Sequence, residues 1–262
     1  MVKRKSGAPV PSVWPLVILA AAVLVVAVVR VRLAGIPLER DEGEYAYVGQ
    51  LMLQGVAPYA SAYSMKLPGA YAMYALVMAL AGPTATAIRL GLLAVNLATM
   101  ALVFLLGRRL ADASTGAIAA AAYGLASLSV SVMGFAAHAT HFVVLFAVAG
   151  LWLLLRAIET GRMWPLAASG ALLGLAFIMK QHGIVFALFG AFWLSKSGTG
   201  PTRRLAVLLG GFAVPAAVVL GAIAAAGAFR KFWFWNVVYA ADYATGSTIS
   251  EGIENLGYQL RH

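Results

Sequence analysis

The chain has 262 residues, of which 62% are hydrophobic and 11% charged. Ordinary soluble domains are roughly one quarter charged, so this composition excludes that class, and the long apolar runs indicate a polytopic helical membrane protein. The net charge is +10 and there is no cysteine, which excludes disulfides and thiolate metal sites and, with the basic residues gathered at the ends of apolar runs, fits lipid headgroups rather than nucleic acid.

The elements follow in chain order. Met1 to Lys5 reads MVKRK, a basic head that places the N-terminus in the cytoplasm. The apolar run from Pro11 to about Val29 continues into VVRVRLAG without a small-residue cleavage site, so it reads as an uncleaved first span rather than a signal peptide. Arg30 and Arg32 then fall near the outer interface, where arginines snorkel. The first outer loop, 38–83, carries the densest acidic run of the chain. Within it, Asp41 to Gln54 forms an interfacial helix with an apolar stripe at Tyr45, Val48, Leu51 and Met52. Gly55 and Pro58 end that helix, and Ala70 to Ala81 is a second one, too short to span and therefore re-entrant or surface-lying. Six more spans follow: Thr84 to Leu106, Ser114 to Val132, His138 to Leu155, Pro165 to Met179, Gly183 to Leu194 and Leu205 to Ala226. Arg108, Arg162 and Arg203 share the side of Met1, while most acids fall opposite, so charge bias and hydropathy agree.

The expected fold class is therefore all-α, a membrane helical bundle of about seven transmembrane helices with interfacial helices in the first outer loop. It divides into a transmembrane domain over 1–227 and an extracytoplasmic juxtamembrane tail over 228–262, which reads as the end of a truncated product. Many glycines and alanines suit close helix approach in lipid. Alternating strands for a β-barrel, short-period repeats and the Walker, dinucleotide, HExxH and GxSxG signatures are all missing from the sequence.

Several groups in this frame carry chemistry. Asp41, Glu42 and Glu44 follow the first span directly, and carboxylates at a low-dielectric boundary can act as a general base or hold a divalent cation. The plainer reading makes Asp41 a helix N-cap and Glu44 its capping-box partner. Lys66 could hold a lipid phosphate or simply snorkel; Arg89, early in its span, could face the same outer pocket or likewise snorkel. Tyr59 and Tyr63 could line a sugar or belong to the aromatic belt. His138 and His141 stand three apart on one expected helix face, as a metal pair with an acid from the first loop, a hydrogen-bonding pocket, or polar packing. Lys180, Gln181 and His182 interrupt apolar sequence at the outer end of a span, as a phosphate or sugar contact or as an anchor.

The stretches RDEGEYAYVGQLMLQGVAPY, KLPGAYAMY and AIRL, followed by GLLAVNLATMALVFLLGRRLAD and ALLGLAFIMKQHGIVF, resemble the GT-C membrane glycosyltransferases over roughly Pro15 to Trp193. The resemblance is to the glycosyltransferase 39 or protein-O-mannosyltransferase-like bacterial enzymes, which include aminoarabinose transferases. It implies a polyprenyl-phosphate sugar donor, a lipid, glycan or protein acceptor, and catalysis on the extracytoplasmic face of the bacterial inner membrane, with no nucleic acid partner. By the same resemblance Asp41 is the catalytic base and Glu42 its acidic partner. Lys66, Arg89 and Lys180 meet the donor phosphate, and Glu44, Tyr59, Tyr63, His138, His141 and His182 line the substrate pocket. No cofactor is fixed by it beyond a divalent metal in some relatives. Those relatives have Glu-Lys-Pro-Pro where this chain has Met65-Lys66-Leu67-Pro68, so their metal-binding glutamate is missing, and His141 stands in for an acid near the start of the fourth span. Full members are longer, which implies a missing C-terminal half. A transporter or lipid flippase, or a non-catalytic bundle, are the rival classes from the residues alone.

Overall fold

The computed structural model describes residues 13–196, 200–246 and 249–259; the basic head Met1 to Lys5 lies outside them. Among the described residues the chain is a bundle of helices without strands. Its main elements are α1 (Trp14–Arg32), α2 (Arg40–Leu53), α3 (Gly69–Ala81), α4 (Ala85–Leu110), α5 (Ala113–Ala126), α6 (Ala139–Thr160), α7 (Met163–Met179), α8 (Ile184–Lys196) and α9 (Pro201–Ala225). Helices α1, α4, α6 and α9 are long and apolar enough to cross a membrane, whereas α3, α5 and α7 are shorter apolar helices. Every expected span thus contains a helix, and four of them have full crossing length. Local sequence starts these helices where a side chain can take up free backbone N–H groups: Thr84 Oγ1 accepts from Ala87 N at 3.1 Å, and Asp112 Oδ1 accepts from Thr115 N at 2.7 Å.

Three expectations need correction. The span from Ser114 to Val132 is shorter: α5 stops at Ala126 and a single 3₁₀ turn covers Val130–Val132. The exposed carbonyls of that break are taken up by Arg30, which is buried rather than snorkelling. Its Nη2 donates to Ser127 O at 3.0 Å and to Gly134 O at 2.9 Å. A guanidinium offers several donors in one plane, so it can replace the helix bonds that the break removes. His138, expected inside a span, is instead the extended residue preceding α6.

Small residues set the helix spacing. In α7 and α9 the backbones meet at Gly170, Gly174 and Gly211, where a Cβ would overlap the carbonyl oxygens of Leu208, Phe212 and Ala167 respectively. Gly170→Val is expected to force these helices apart and cost about 1–3 kcal/mol, read as a lowered thermal midpoint in detergent. At the other end of α7, a Cβ on Gly69 would press on the Ile178 carbonyl, so the start of α3 lies against the end of α7.

The main core sits under the first outer loop. Tyr45 of α2, Tyr71 and Tyr74 of α3, Leu92 of α4 and Phe142 of α6 are all buried there. The C-terminal segment folds back onto the same loop: α10 (Phe229–Trp233) brings Phe232 against Tyr59 with ring centroids 5.4 Å apart, Lys231 Nζ donates to Ala60 O at 2.6 Å, and Trp235 lies over Tyr63 at 5.4 Å.

Candidate functional site

The site is built around the start of α2. Glu39 is extended and caps the helix: its Oε2 accepts from Asp41 N at 2.8 Å, and Glu42 Oε2 accepts from Glu39 N at 2.9 Å. This is a complete capping box, two residues earlier than the expected Asp41 and Glu44 pair. The shift arises because the helix begins at Arg40, so Asp41 already lies inside the first turn with its carboxylate free to face outward.

Glu42 points the other way. It is fully buried, and its oxygens accept from Arg89 Nη2 at 2.7 Å and from Ala137 N at 2.6 Å. Arg89, also buried, donates as well to Pro37 O at 3.2 Å and to Phe135 O. The structure therefore places Glu42 and Arg89 in an internal ion pair rather than at the accessible pocket where the resemblance put them. That pair ties α4 to the loop before α2 and to the segment before α6, and so fixes His138 beside Asp41.

The accessible group is Asp41, Glu44, Lys66 and His138. Lys66 Nζ lies 3.0 Å from Asp41 Oδ1 and 3.1 Å from Glu44 Oε2, and 4.8 Å from the centre of the Tyr45 ring. Glu44 Oε1 accepts from Ser64 Oγ at 2.6 Å and from Tyr71 OH at 2.9 Å. The Lys66 backbone is held from both sides: Tyr59 OH donates to its carbonyl at 2.8 Å, and its N–H donates to Ser64 Oγ at 3.1 Å. The other oxygen of Asp41, Oδ2, faces His138 Nε2 at 3.7 Å. Asp41 keeps 17% of its side chain exposed and Lys66 26%, so water and a polar substrate can reach both.

Burial acts to raise the Asp41 carboxyl. The hydrogen bond and charge of Lys66, helped by His138 and Arg40, outweigh it and hold the group below its ordinary 3.8. A folded value below the unfolded one means that this link stabilises the protein fully above the unfolded value. The contribution is lost as pH falls through the lower folded value. Lys66→Met is expected to shrink that acid-dependent part of the stability, because the folded value then rises toward the unfolded one, read from the thermal midpoint followed down an acid series. Burial raises the Tyr45, Tyr59 and Tyr71 phenols well above their ordinary value, with the nearby carboxylates adding to it, so these hydroxyls stay protonated, and those of Tyr59 and Tyr71 donate.

The remaining candidates separate. Tyr59 is buried beneath the loop with a positive φ of 69°, a structural position rather than a pocket wall, while Tyr63 is exposed. His141 does not share a face with His138, because His138 is not helical. His141 is buried in another crevice beside Tyr123, Ser127 and Val132. Lys180 and His182 stand on the turn after α7, which meets the Lys66 loop through Gln181 Nε2 and Met65 O at 3.4 Å. Burial first, then Lys180, holds His182 below its ordinary value. Ser64 and Tyr71 carry no role in the sequence reading, although Tyr71 lies within the KLPGAYAMY stretch. Glu39 was also missed, although Glu39-x-x-Glu42 has capping-box spacing.

For a metal, Glu39, Asp41 and His138 each bring one ligand atom within 4.8 Å of the others. An apolar groove of about 540 Å³ runs between the α2–α3 hairpin and α6, α7 and α9, and its wall includes Pro68, two residues beyond Lys66. Met52, Pro58, Pro68, Met73, Phe146 and Ile223 are among its walls.

Compared with known proteins, residues 65–224 match the family model described as dolichyl-phosphate-mannose-protein mannosyltransferase, which covers more than half of the chain. No curated protein and no solved structure matches the chain.

Proposed function

We propose, on the premise that this chain belongs to the dolichyl-phosphate-mannose-protein mannosyltransferase family of membrane glycosyltransferases of the GT-C kind, that it moves a sugar from a polyprenyl-phosphate donor to a hydroxyl of a lipid, glycan or protein acceptor. The transfer takes place at the extracytoplasmic face of a bacterial inner membrane, with the N-terminus in the cytoplasm. The observation that carries this reading is the Asp41–Lys66 contact at 3.0 Å, partly open to water, with Pro68, two residues beyond Lys66, in the wall of an apolar groove.

The chemistry follows from those groups. The acceptor oxygen attacks the anomeric carbon, the bond from that carbon to the phosphate oxygen breaks, and its electron pair leaves on the phosphate. Asp41 takes the acceptor's proton, and its depressed carboxyl is ionised at neutral pH. Charge grows on the departing phosphate, so a fixed ammonium there favours the transition state more than the ground state. Lys66 is that ammonium, and it exchanges one carboxylate partner for the phosphate when donor binds. Lys180 supplies a second cation from the adjoining turn; among the described residues it has no ion pair of its own. The groove, with Pro68 in its wall, gives prenyl units an apolar surface.

The test uses the full chain in proteoliposomes with a polyprenyl-phosphate mannose radiolabelled in the sugar. Transfer of label to a lipid, glycan or protein fraction is expected. Lys66→Met is expected to raise KM for the donor and to lower kcat, together at least tenfold in kcat/KM. Absence of transfer with this and other lipid-linked sugars, alongside substrate counterflow, would replace this reading by transport.

A further inference from the structure

We propose that Arg30 and Arg89 frame a second anion site, separate from the Asp41–Lys66 pocket, that takes one singly charged phosphate group, and that the headgroup of a bilayer phospholipid supplies it. Both arginines line one cavity of about 100 Å³ between the end of α1 and the segment joining α5 to α6. None of Asp41, Glu44, Lys66 and His138 lines it. Arg30 stands in the last turn of α1, a helix of 19 residues. At 1.5 Å per residue that is about 28 Å, close to the thickness of the hydrocarbon, so its last turn lies near the depth of lipid phosphates.

Three observations point to an anion. The first is charge. Arg30 is 4% exposed and Arg89 3%, and a guanidinium keeps its proton at neutral pH. Glu42 balances Arg89 at 2.7 Å, but among the described residues no carboxylate pairs with Arg30. Two cations against one carboxylate leave one positive charge enclosed, and an enclosed charge without a counter-charge is costly. A phosphodiester carries one negative charge and closes that balance. The second is unused donors. The hydrogen bonds of Arg30 to Ser127 O, Ser127 Oγ and Gly134 O all run from Nη2. Its Nε and that of Arg89 are buried without a partner among the described residues. The third is shape. The Arg89 guanidinium lies over the Phe135 ring, 5.6 Å from its centre, which holds it in place. The rest of the wall is apolar, from Val29, Leu33, Leu128 and Val130, and Val130 is 78% exposed. A water takes about 30 Å³ of liquid, so the cavity holds a group of phosphate size rather than a sugar. Its apolar outer side suits the glycerol and acyl carbons that follow a lipid phosphate.

The test is independent of sugar transfer. The full chain, delipidated in detergent, is titrated with phosphatidylglycerol or phosphatidylcholine and read by native mass spectrometry and thermal midpoint. One phosphatidylglycerol is expected to bind at least tenfold more tightly than phosphatidylcholine and to raise the midpoint. Arg30→Gln should remove that preference, whereas Lys66→Met, in the other pocket, should leave it within about twofold. Because Arg30 also holds the α5–α6 break, a second measurement uses the parental chain. Phosphatidylglycerol carrying a photoreactive headgroup should label residues 29–33 and 128–135, read by peptide mass spectrometry. Equal binding of the two lipids, a preference that survives Arg30→Gln but not Lys66→Met, or label confined to residues 38–68 would each overturn the site. Inorganic phosphate that raises the midpoint as far and competes with the lipid would keep the anion at Arg30 and overturn the lipid as its source.

Discussion

Asp41→Asn is expected to lower sugar transfer by about 10²–10⁴-fold, the range lost when a positioned general base is removed, with little change in donor binding. The substitution keeps the size of the side chain. Its carbonyl oxygen can still accept from Lys66, whose other partner Glu44 remains 3.1 Å away. The proton acceptor alone is gone. A fall in kcat with KM for the donor within about twofold would identify an interaction made in the transition state. Transfer at the parental rate would remove Asp41 from the chemistry and leave it as a packing partner of Lys66. Glu44→Gln gives a useful contrast. Glu44 holds Lys66 together with Ser64 and Tyr71, so its loss should weaken donor binding more than turnover.

The second large effect is on stability. Glu42→Gln and Arg89→Met are each expected to cost about 3–5 kcal/mol, because each leaves a buried charge without its counter-charge. Arg89 is 3% exposed and Glu42 wholly enclosed, at 2.7 Å. Neither orphaned group can turn to water. The double variant should recover part of the loss, since removing both charges removes the stranded one, and thermal unfolding in detergent measures the coupling. Single variants within about 1 kcal/mol of the parent would mean that water reaches this pair. The same pair supports the site, so the single variants should also blunt transfer by loosening the segment that carries His138.

The interior role of these two residues illustrates how far a linear reading reaches. Long apolar runs with basic ends identify helices α1, α4, α6 and α9 because hydrocarbon thickness imposes a length that composition reveals directly. The interfacial helix α2 was legible from its apolar stripe, and the short motifs around Asp41 and Lys66 pointed to the family whose model matches residues 65–224. Local patterns such as Thr84 and Asp112 at helix starts depend on neighbours three residues away and are equally visible in the chain.

What the order of residues left open was which charged group faces water. Asp41, Glu42 and Glu44 are chemically alike and nearly adjacent, yet Asp41 meets Lys66 in the open pocket while Glu42 is sealed inside with Arg89. That difference was decided by partners 47 and 95 residues away, Arg89 and the Ala137 amide. Likewise, the spacing of His138 and His141 suggested a shared helix face, but the α5–α6 break leaves His138 extended beside Asp41 and sends His141 into another crevice. Hydrophobic length and capping are short-range properties that a sequence carries openly. Solvation of a carboxylate is set by whatever the folded bundle brings against it, and only the tertiary structure supplies those neighbours.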